Sequence, residues 1–141
     1  MILLDTNVLS ELMRPAPSTV VEDWMSRQPA QAIFISAITE AELRYGLALL
    51  PEGQRRRRLL AEAEAMLAGD FAGRILPFDS PAASAFAHIA AARRASGRPI
   101  SQPDAQIAAI AACRGASLAT RNVADFTDCG IEVVDPWNGE S

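Results

Sequence analysis

The hydrophobic residues of this chain fall into short continuous runs that alternate with longer segments of helical spacing. Short apolar runs are typical of strands that are buried on both faces of a parallel sheet. Such strands are predicted at 2–4, 32–35, 74–78, 117–120 and 131–134, of which the third is weak and interrupted by Pro77. The segments between them end at proline or glycine, as helices do. Helices are predicted over 7–14 and 54–68, and after the capping residues Ser18, Ser36, Asp79 or Ser80, and Ser101.

Strands that are separated by helices are joined by crossover connections, which makes their sheet parallel and covers both of its faces. We therefore predict an α/β protein with a three-layer α/β/α fold and a central parallel sheet. The chain has 141 residues, half of them hydrophobic, which suits a single domain over 1–141 with one core. No apolar run reaches the roughly 18 residues of a membrane span, so no membrane partner is expected.

The charge and cysteine content narrow the functional classes. Seventeen acidic and 13 basic residues give a net charge of −4, which argues against a generally basic nucleic-acid coat protein. All the basic residues are arginine, which grips phosphate in a bidentate way, although biased codon usage would produce the same composition. Cys113 and Cys129 lack metal-site spacing and are typical of free thiols in a reducing compartment, so a cytoplasmic protein is predicted.

Asp5 follows the first predicted strand and precedes the first predicted helix. In open α/β sheets, ligands bind at this edge, outside the carboxyl ends of the strands. Asp5 is therefore a candidate functional residue. The alternative is that its side chain only caps the helix that follows.

Asp104 shares one face of its predicted helix with Ile107, Ala108 and Ala111. Because that face is apolar and packs inward, the acid at its start is expected to be at least half buried. The alternative is a capping box with Ser101, although glutamate or glutamine is the usual partner in that motif.

Glu42 and Asp125 are the two other candidate acids. Glu42 lies inside the helix that begins at Ser36, on one stripe with Ile38 and Tyr45, although Thr39-x-x-Glu42 is also a formal capping box. Asp125 follows the strand that ends at Thr120, where an acid can equally be a turn residue.

These four carboxylates would share one edge of a parallel sheet and would repel one another. At an effective dielectric constant of 20, each pair about 4 Å apart costs roughly 4 kcal/mol. A hard divalent cation would offset this repulsion, and oxygen ligands without histidine or cysteine favour Mg²⁺ or Mn²⁺. Such a site activates water and binds phosphate.

Other catalytic chemistries find little support in the sequence. His88 is the only histidine, which argues against a two-histidine ribonuclease or a Ser-His-Asp triad. Neither G-x-x-x-x-G-K-[ST] nor G-x-G-x-x-G occurs. Phosphatases with an aspartyl nucleophile typically contain Asp-x-Asp, and here Asn7 stands in the second position.

Four segments in order along the chain carry a family resemblance. They are M-I-L-L-D-T-N-V-L-S-E-L at 1–12, I-S-A-I-T-E-A-E-L-R-Y-G at 35–46, P-D-A-Q-I-A-A-I-A at 103–111 and T-R-N-V-A-D-F at 120–126. With these segments the chain resembles the PIN-domain family, and within it the VapC-type (FitB-like) ribonuclease toxins of bacterial toxin–antitoxin pairs. The resemblance implies a PIN fold and a Mg²⁺- or Mn²⁺-dependent endoribonuclease that cleaves RNA with metal-activated water and inhibits translation.

The resemblance also implies roles for individual residues. Asp5, Glu42 and Asp104 correspond to the core acidic cluster, and Asp125 to a more variable fourth acid. Asp5 and Asp104 are expected to hold the metal ion directly. The polar positions that line such sites are Thr6, Asn7, Thr120 and Asn122. Candidates for binding the RNA backbone are Arg44, Arg121 and the 55–58 arginine run, which can equally be a solvated helix face.

Members of the resembled family usually form dimers and bind a small antitoxin, so a homodimer or a larger complex with antitoxin is expected. Three other interpretations remain open. The chain could be a PIN nuclease that acts on DNA or in RNA processing. It could be mainly the regulatory, oligomerising partner of a DNA-binding antitoxin. It could also be an unrelated α/β phosphatase.

Overall fold

A computed structural model gives the structure of residues 1–138; the end of the predicted domain, residues 139–141, lies outside the described residues. The described residues contain five strands and six α-helices. The strands are β1 Ile2–Leu4, β2 Ile33–Ser36, β3 Ile75–Leu76, β4 Ser117–Ala119 and β5 Val133–Val134. The helices are α1 Thr6–Leu12, α2 Thr19–Ser26, α3 Ala37–Ala48, α4 Gln54–Ala68, α5 Ser80–Ala95 and α6 Gln102–Arg114.

The five strands form one parallel sheet in the order β3-β2-β1-β4-β5. The strand β1 lies at its centre, with Leu3 opposite Phe34 on one side and Leu118 on the other. The chain winds outward in one direction through β2 and β3, and in the other through β4 and β5. The direction therefore reverses between β1 and β4, and the carboxyl end of such a switch point forms a crevice.

Each face of the sheet is covered by its own hydrophobic core. Leu3 belongs to the core formed with α5 and α6, whereas Leu4 belongs to the core formed with α1, α2 and α4. Successive side chains of a strand point to opposite faces, so both residues are fully buried. The predicted three-layer α/β/α fold with a central parallel sheet is confirmed.

The predicted capping residues begin the helices as expected. The hydroxyl oxygen of Ser36 accepts a hydrogen bond from the backbone N–H of Thr39 at 3.0 Å, which starts α3 directly after β2. Asp79, rather than Ser80, caps α5 through the backbone N–H of Ala82 at 3.2 Å. The helix α6 ends at Gly115, whose φ of +66° lies in the left-handed region.

One strand is as short as its proline predicts, and one helix face differs from the sequence prediction. The strand β3 ends at Leu76, before Pro77, because proline has no N–H to continue the ladder. On the Glu42 stripe of α3, Tyr45 is 67% exposed and faces outward, whereas Ile38 packs against the core formed with α5 and α6. The buried stripe of the helix contains Leu43 and Leu47.

No helix within residues 1–138 is both long enough and apolar enough to span a membrane.

Candidate active site

The candidate site lies where β1 and β4 end next to each other. Asp5 follows β1 and Thr120 follows β4, and the backbone N–H of Asp5 donates to the carbonyl of Ala119 at 2.9 Å. Both residues are buried; Asp5 is 5% exposed and Thr120 is fully buried. The parallel register of the two strands therefore brings together two polar residues that are 115 positions apart.

Three donors fix the carboxylate of Asp5. Its Oδ1 accepts from the backbone N–H of Thr6 at 2.8 Å, so Asp5 also caps α1. Its Oδ2 accepts from the hydroxyl of Thr120 at 2.8 Å and from the side-chain amide of Asn7 at 3.3 Å. Both interpretations of Asp5 thus hold together: one oxygen caps the helix, and the other belongs to a buried polar network.

The pKa of Asp5 is raised above its ordinary value. Burial is the largest cause, and the negative charge of Glu42 adds to it. The hydrogen bonds from Thr120, Thr6 and Asn7 oppose the shift without cancelling it. Neutral donors orient this carboxylate but leave its charge undercompensated, which is the electrostatic condition that favours a bound cation.

Thr6 connects Glu42 to Asp5. While its backbone N–H donates to Asp5, its hydroxyl donates to the Oε1 of Glu42 at 2.6 Å. The same hydroxyl lies 3.3 Å from that of Thr39, which is buried in the first turn of α3. Glu42 itself is exposed, so it stands at the open side of the crevice.

Asp104 lies in the first turn of α6, partly buried as predicted, and Ser101 caps that helix. The pKa of Asp104 is raised, mainly by burial and further by the negative charges of Asp5 and Asp125. A hydrogen bond with Ser101 and the positive charge of Arg93 oppose this rise. The carboxylates of Asp5, Asp104 and Asp125 are therefore close enough to influence one another.

Asp125 lies on a short 3₁₀ helix, Val123–Phe126, and is exposed. It lines a cavity of about 220 Å³ together with Asp104. The remaining lining residues are Arg93, Pro99, Ile100 and Ser101. The fourth acid is thus brought to the same edge of the sheet as Asp104.

The supporting polar residues differ in how they meet the acids. Thr6, Asn7 and Thr120 hydrogen-bond directly to Asp5, whereas Asn122 is linked only through its backbone N–H, which donates to the hydroxyl of Thr120 at 3.0 Å. The side chain of Asn7 also accepts from the backbone N–H of Arg121 at 3.1 Å, which connects the strand β4 end to α1.

The donor set fits a hard divalent cation in its chemistry. The site offers carboxylate and hydroxyl oxygens, and two of its carboxylates have pKa values raised by burial and mutual repulsion. Within residues 1–138, however, no three acidic, histidine or cysteine side chains already stand at the spacing of a closed metal site. The carboxylate and hydroxyl oxygens thus lie at the same edge of the sheet, but the carboxylates are not at the mutual distances of ligands around one ion.

The two candidate RNA-binding arginines have different surroundings. The guanidinium of Arg44 donates to Glu40 at 3.0 Å and also pairs with Glu64, so two carboxylates compensate its charge. The guanidinium of Arg121 lies over the ring of Trp137, 4.9 Å from its centroid, and no carboxylate of residues 1–138 forms an ion pair with it.

Sequence reasoning missed two residues at the site, Thr39 and Arg93. Arg93 is 6% exposed and lines the Asp104 cavity. A signal for it was present, because Arg93 falls at helical spacing from Ala82 and Ile89, the buried residues of α5. A charged residue on a buried stripe indicates either a polar network or a site.

Comparison with known proteins gives consistent matches over nearly the whole chain. The profile of the PIN domain matches residues 2–128. The chain is 41% identical over 137 residues to VapC ribonuclease Y4jK of Sinorhizobium fredii, covering 97% of this chain and 98% of that protein. It is also 41% identical over 138 residues to toxin FitB of Neisseria gonorrhoeae, covering 98% and 99%.

Two solved structures share the fold closely. The crystal structure of FitAcB from Neisseria gonorrhoeae superposes with a TM-score of 0.92 at 42% identity, covering 97% of this chain and 99% of that chain. A structure of FitAB bound to a DNA fragment also gives a TM-score of 0.92, at 41% identity, covering 97% and 96%.

Proposed function

Because the chain belongs to the PIN-domain family, we propose that it is a metal-dependent endoribonuclease and the toxin of a toxin–antitoxin pair. The observation that carries this proposal is the buried carboxylate of Asp5, oriented by three neutral donors and surrounded by Glu42 and Asp104. The names of two similar proteins, a ribonuclease and a toxin, point to the same activity. One PIN domain over 1–141, in the cytoplasm, is part of the proposal.

In this mechanism Asp5 and Asp104 would hold Mg²⁺ or Mn²⁺, and Glu42 and Asp125 would complete the surroundings. When bound, the ion would supply the positive charge that makes water a nucleophile at neutral pH and stabilises the negative phosphate. Thr120 and Asn7 hold one oxygen of Asp5, so its carboxylate stays oriented without reorganisation. A carboxylate of the cluster accepts the proton of the attacking water. The water oxygen would bond to phosphorus as the bond to the 3′ oxygen breaks, and that oxygen would take up a proton from solvent, which leaves a 3′-hydroxyl and a 5′-phosphate.

The test is cleavage by the purified chain, freed of any partner. Single-stranded RNA is incubated with Mg²⁺, with Mn²⁺ or with EDTA, and the new ends are analysed for 5′-phosphate by ligation. We expect cleavage only with a divalent cation, and its loss when the antitoxin is added. Equal cleavage in EDTA would contradict the proposal. Cleavage of DNA in place of RNA would favour the other PIN nuclease interpretation.

Arg121 is expected to contribute more to RNA binding than Arg44. Its guanidinium forms no ion pair within 4.0 Å among the described residues and acts on Glu11 only at longer range, whereas that of Arg44 pairs with both Glu40 and Glu64. With uncleaved fluorescent RNA in EDTA, Arg121→Ala should weaken binding and reduce the slope of log K against log salt by about 1. Arg44→Ala is the matched comparison. An equal or larger loss in Arg44→Ala would overturn this ranking.

The antitoxin is proposed to anchor in an apolar cavity and to extend from it over the acidic site, which would account for the expected loss of cleavage. This cavity of about 430 Å³ lies between α1, α2 and α4, and methionines form part of its wall. They are Met13, Met25 and Met66. Methionine side chains adapt to the shape of an apolar partner. The similarity to FitAcB supports a complex of this kind, and a homodimer of the chain within it is also proposed.

A second candidate function is regulation of transcription by the toxin–antitoxin pair, with this chain as its oligomerising partner. The similarity to FitAB bound to DNA favours it. The cleavage experiment separates the two functions. If no cation supports RNA cleavage while the pair still binds its promoter DNA, the regulatory function is the better conclusion.

A further inference from the structure

Arg93 is an unusual arginine of this chain. All thirteen arginines lie within residues 1–138, and Arg93 is the one whose side chain is buried, at 6% exposure. It lies on the inner face of α5, on the side of the sheet that carries Asp104. A buried positive charge is costly unless its donors and its charge are both compensated.

Backbone carbonyl groups, not carboxylates, satisfy the guanidinium of Arg93. Its Nε donates to the carbonyl of Arg98 at 2.8 Å, and its Nη1 donates to the carbonyls of Asp125 and Thr127, both at 3.0 Å. The Sγ of Cys129 lies 3.6 Å from the same Nη1. Among the described residues, no ion pair within 4.0 Å involves Arg93.

Two of these three carbonyls belong to the turn that carries the fourth acid of the site: one is that of Asp125 itself, and the other is that of Thr127. Phe126 packs this turn against the core, since it is 1% exposed. The N–H of Asp125 donates to Asn122 at 3.0 Å, and that of Thr127 donates to Ala124 at 3.4 Å. Both of these bonds lie within the turn itself. Arg93 adds to the packing of Phe126 the two hydrogen bonds that connect the backbone of this turn to α5.

The positive charge of Arg93 also acts on the acids of the site. Arg93, Asp104 and Asp125 line the same cavity of about 220 Å³. The guanidinium lies close enough to offset part of the repulsion that the other acids exert on Asp104. Its position is thus suited both to hold the turn and to keep two carboxylates near each other.

We propose that Arg93 is a positioning residue of the acidic site, which fixes the turn at 123–127 so that Asp125 stays beside Asp104. The inference rests on the proposed function, because the placement of Asp125 matters only if the acids bind a divalent cation. Arg93 acts through Asp125 and does not touch the reacting atoms.

The test measures the Mn²⁺ affinity of the whole chain by calorimetric titration, without RNA. Arg93→Met removes the charge and the hydrogen bonds, whereas Arg93→Lys keeps the charge but loses the planar fork that reaches several carbonyls. We expect both variants to bind Mn²⁺ roughly 10-fold more weakly, as for other residues that orient metal ligands. Arg94→Met, an exposed neighbour on the same helix, is the control and should bind like the wild type.

Other roles of Arg93 predict different results. If only its charge mattered, Arg93→Met would bind Mn²⁺ more tightly and Arg93→Lys would match the wild type. If Arg93 only stabilised the fold, the variants would melt earlier but keep their Mn²⁺ affinity. Either pattern would overturn the proposal. Titrations are made below the melting transition, and if Arg93→Met does not fold, the lysine variant decides.

A double-mutant cycle with Asp125→Asn tests the route of the effect. If Arg93 acts through Asp125, Asp125→Asn should lose a similar factor in Mn²⁺ affinity, and the double variant should lose little more than either single variant. Additive losses would show that Arg93 acts elsewhere and would overturn the proposal.

The failure of this inference is distinguishable from failure of the proposed function. If the wild type binds Mn²⁺ with the expected dependence on Arg93 but cleaves no RNA, only the ribonuclease proposal fails. If the wild type cleaves RNA while the Arg93 variants keep wild-type Mn²⁺ affinity, only the positioning role fails. A wild type that binds no Mn²⁺ overturns the positioning role as well, because no site remains to be positioned.

Discussion

Replacing Asp5 with asparagine is expected to abolish RNA cleavage and to leave the fold intact. Asp5 is the most buried of the four acids and is proposed to hold the cation directly. Loss of a metal ligand removes several kcal/mol of transition-state stabilisation, so a fall in rate of roughly three orders of magnitude is expected. The measurement is the initial rate of single-stranded RNA cleavage with saturating Mg²⁺.

The fold should survive this substitution because asparagine is also a good N-cap. Its side-chain oxygen can accept from the backbone N–H of Thr6, as Asp5 does at 2.8 Å. Without metal, the melting temperature of Asp5→Asn should stay close to that of the wild type, because removal of the charge from a buried group, whose pKa burial raises, offsets the loss of an acceptor for the Asn7 amide.

Asp23→Asn is the control for this experiment. Asp23 lies exposed on α2 and takes no part in the proposed site, so this variant should cleave RNA at the wild-type rate. Full cleavage by Asp5→Asn would remove Asp5 from the mechanism. A variant that is inactive but unfolded, by circular dichroism, would assign Asp5 a structural role through its hydrogen bonds with Asn7 and Thr120.

Much of the fold could be predicted from local signals. The run Ile2–Leu4 and the capping residues Ser36 and Ser101 each determine local structure through neighbours within a few positions. Parallel crossovers then place strand ends at one edge. For this reason the sequence alone predicts that Asp5 and Thr120 lie at the same edge of the sheet.

The details of the site depend on contacts between distant residues, which spacing alone does not determine. The hydroxyl of Thr6 has two possible partners on α3, and it donates to Glu42 at 2.6 Å. Similarly, the outward orientation of Tyr45 depends on how α3 is rotated against its neighbours, and the sequence shows only that an apolar stripe exists. Two of the three carbonyl partners of Arg93, those of Asp125 and Thr127, lie 32 and 34 positions away in the loop after β4.

Addition of Mn²⁺ is expected to raise the melting temperature of the wild type, and Asp104→Asn should lose most of this rise. A ligand that binds only the folded state at 100 times its dissociation constant adds about 2.7 kcal/mol of stability. For a chain of this size that corresponds to a shift of roughly 5–10 °C. Thermal unfolding followed by circular dichroism, with EDTA or Mn²⁺, measures the effect.

The pH dependence of the stability difference between the wild type and Asp104→Asn should change sign when Mn²⁺ is added. The folded-state pKa of Asp104 is raised, chiefly by burial and then by the charges of Asp5 and Asp125. In EDTA its contribution to stability is therefore fully present below the unfolded pKa near 4, and it is lost as the pH rises through the raised folded pKa. The wild type should become less stable relative to Asp104→Asn as the pH increases from about 4 to 7.

With Mn²⁺ the opposite trend is expected, because the cation binds the ionised carboxylate and competes with protons. The wild type should then become more stable relative to Asp104→Asn over the same rise in pH. Subtracting the melting curves of the two proteins removes the contribution of carboxyl groups that do not interact with Asp104, such as Glu11, whose pKa is lowered by its hydrogen bond from Ser18. If the difference has the same sign of slope in EDTA and in Mn²⁺, Asp104 is not a ligand of the cation.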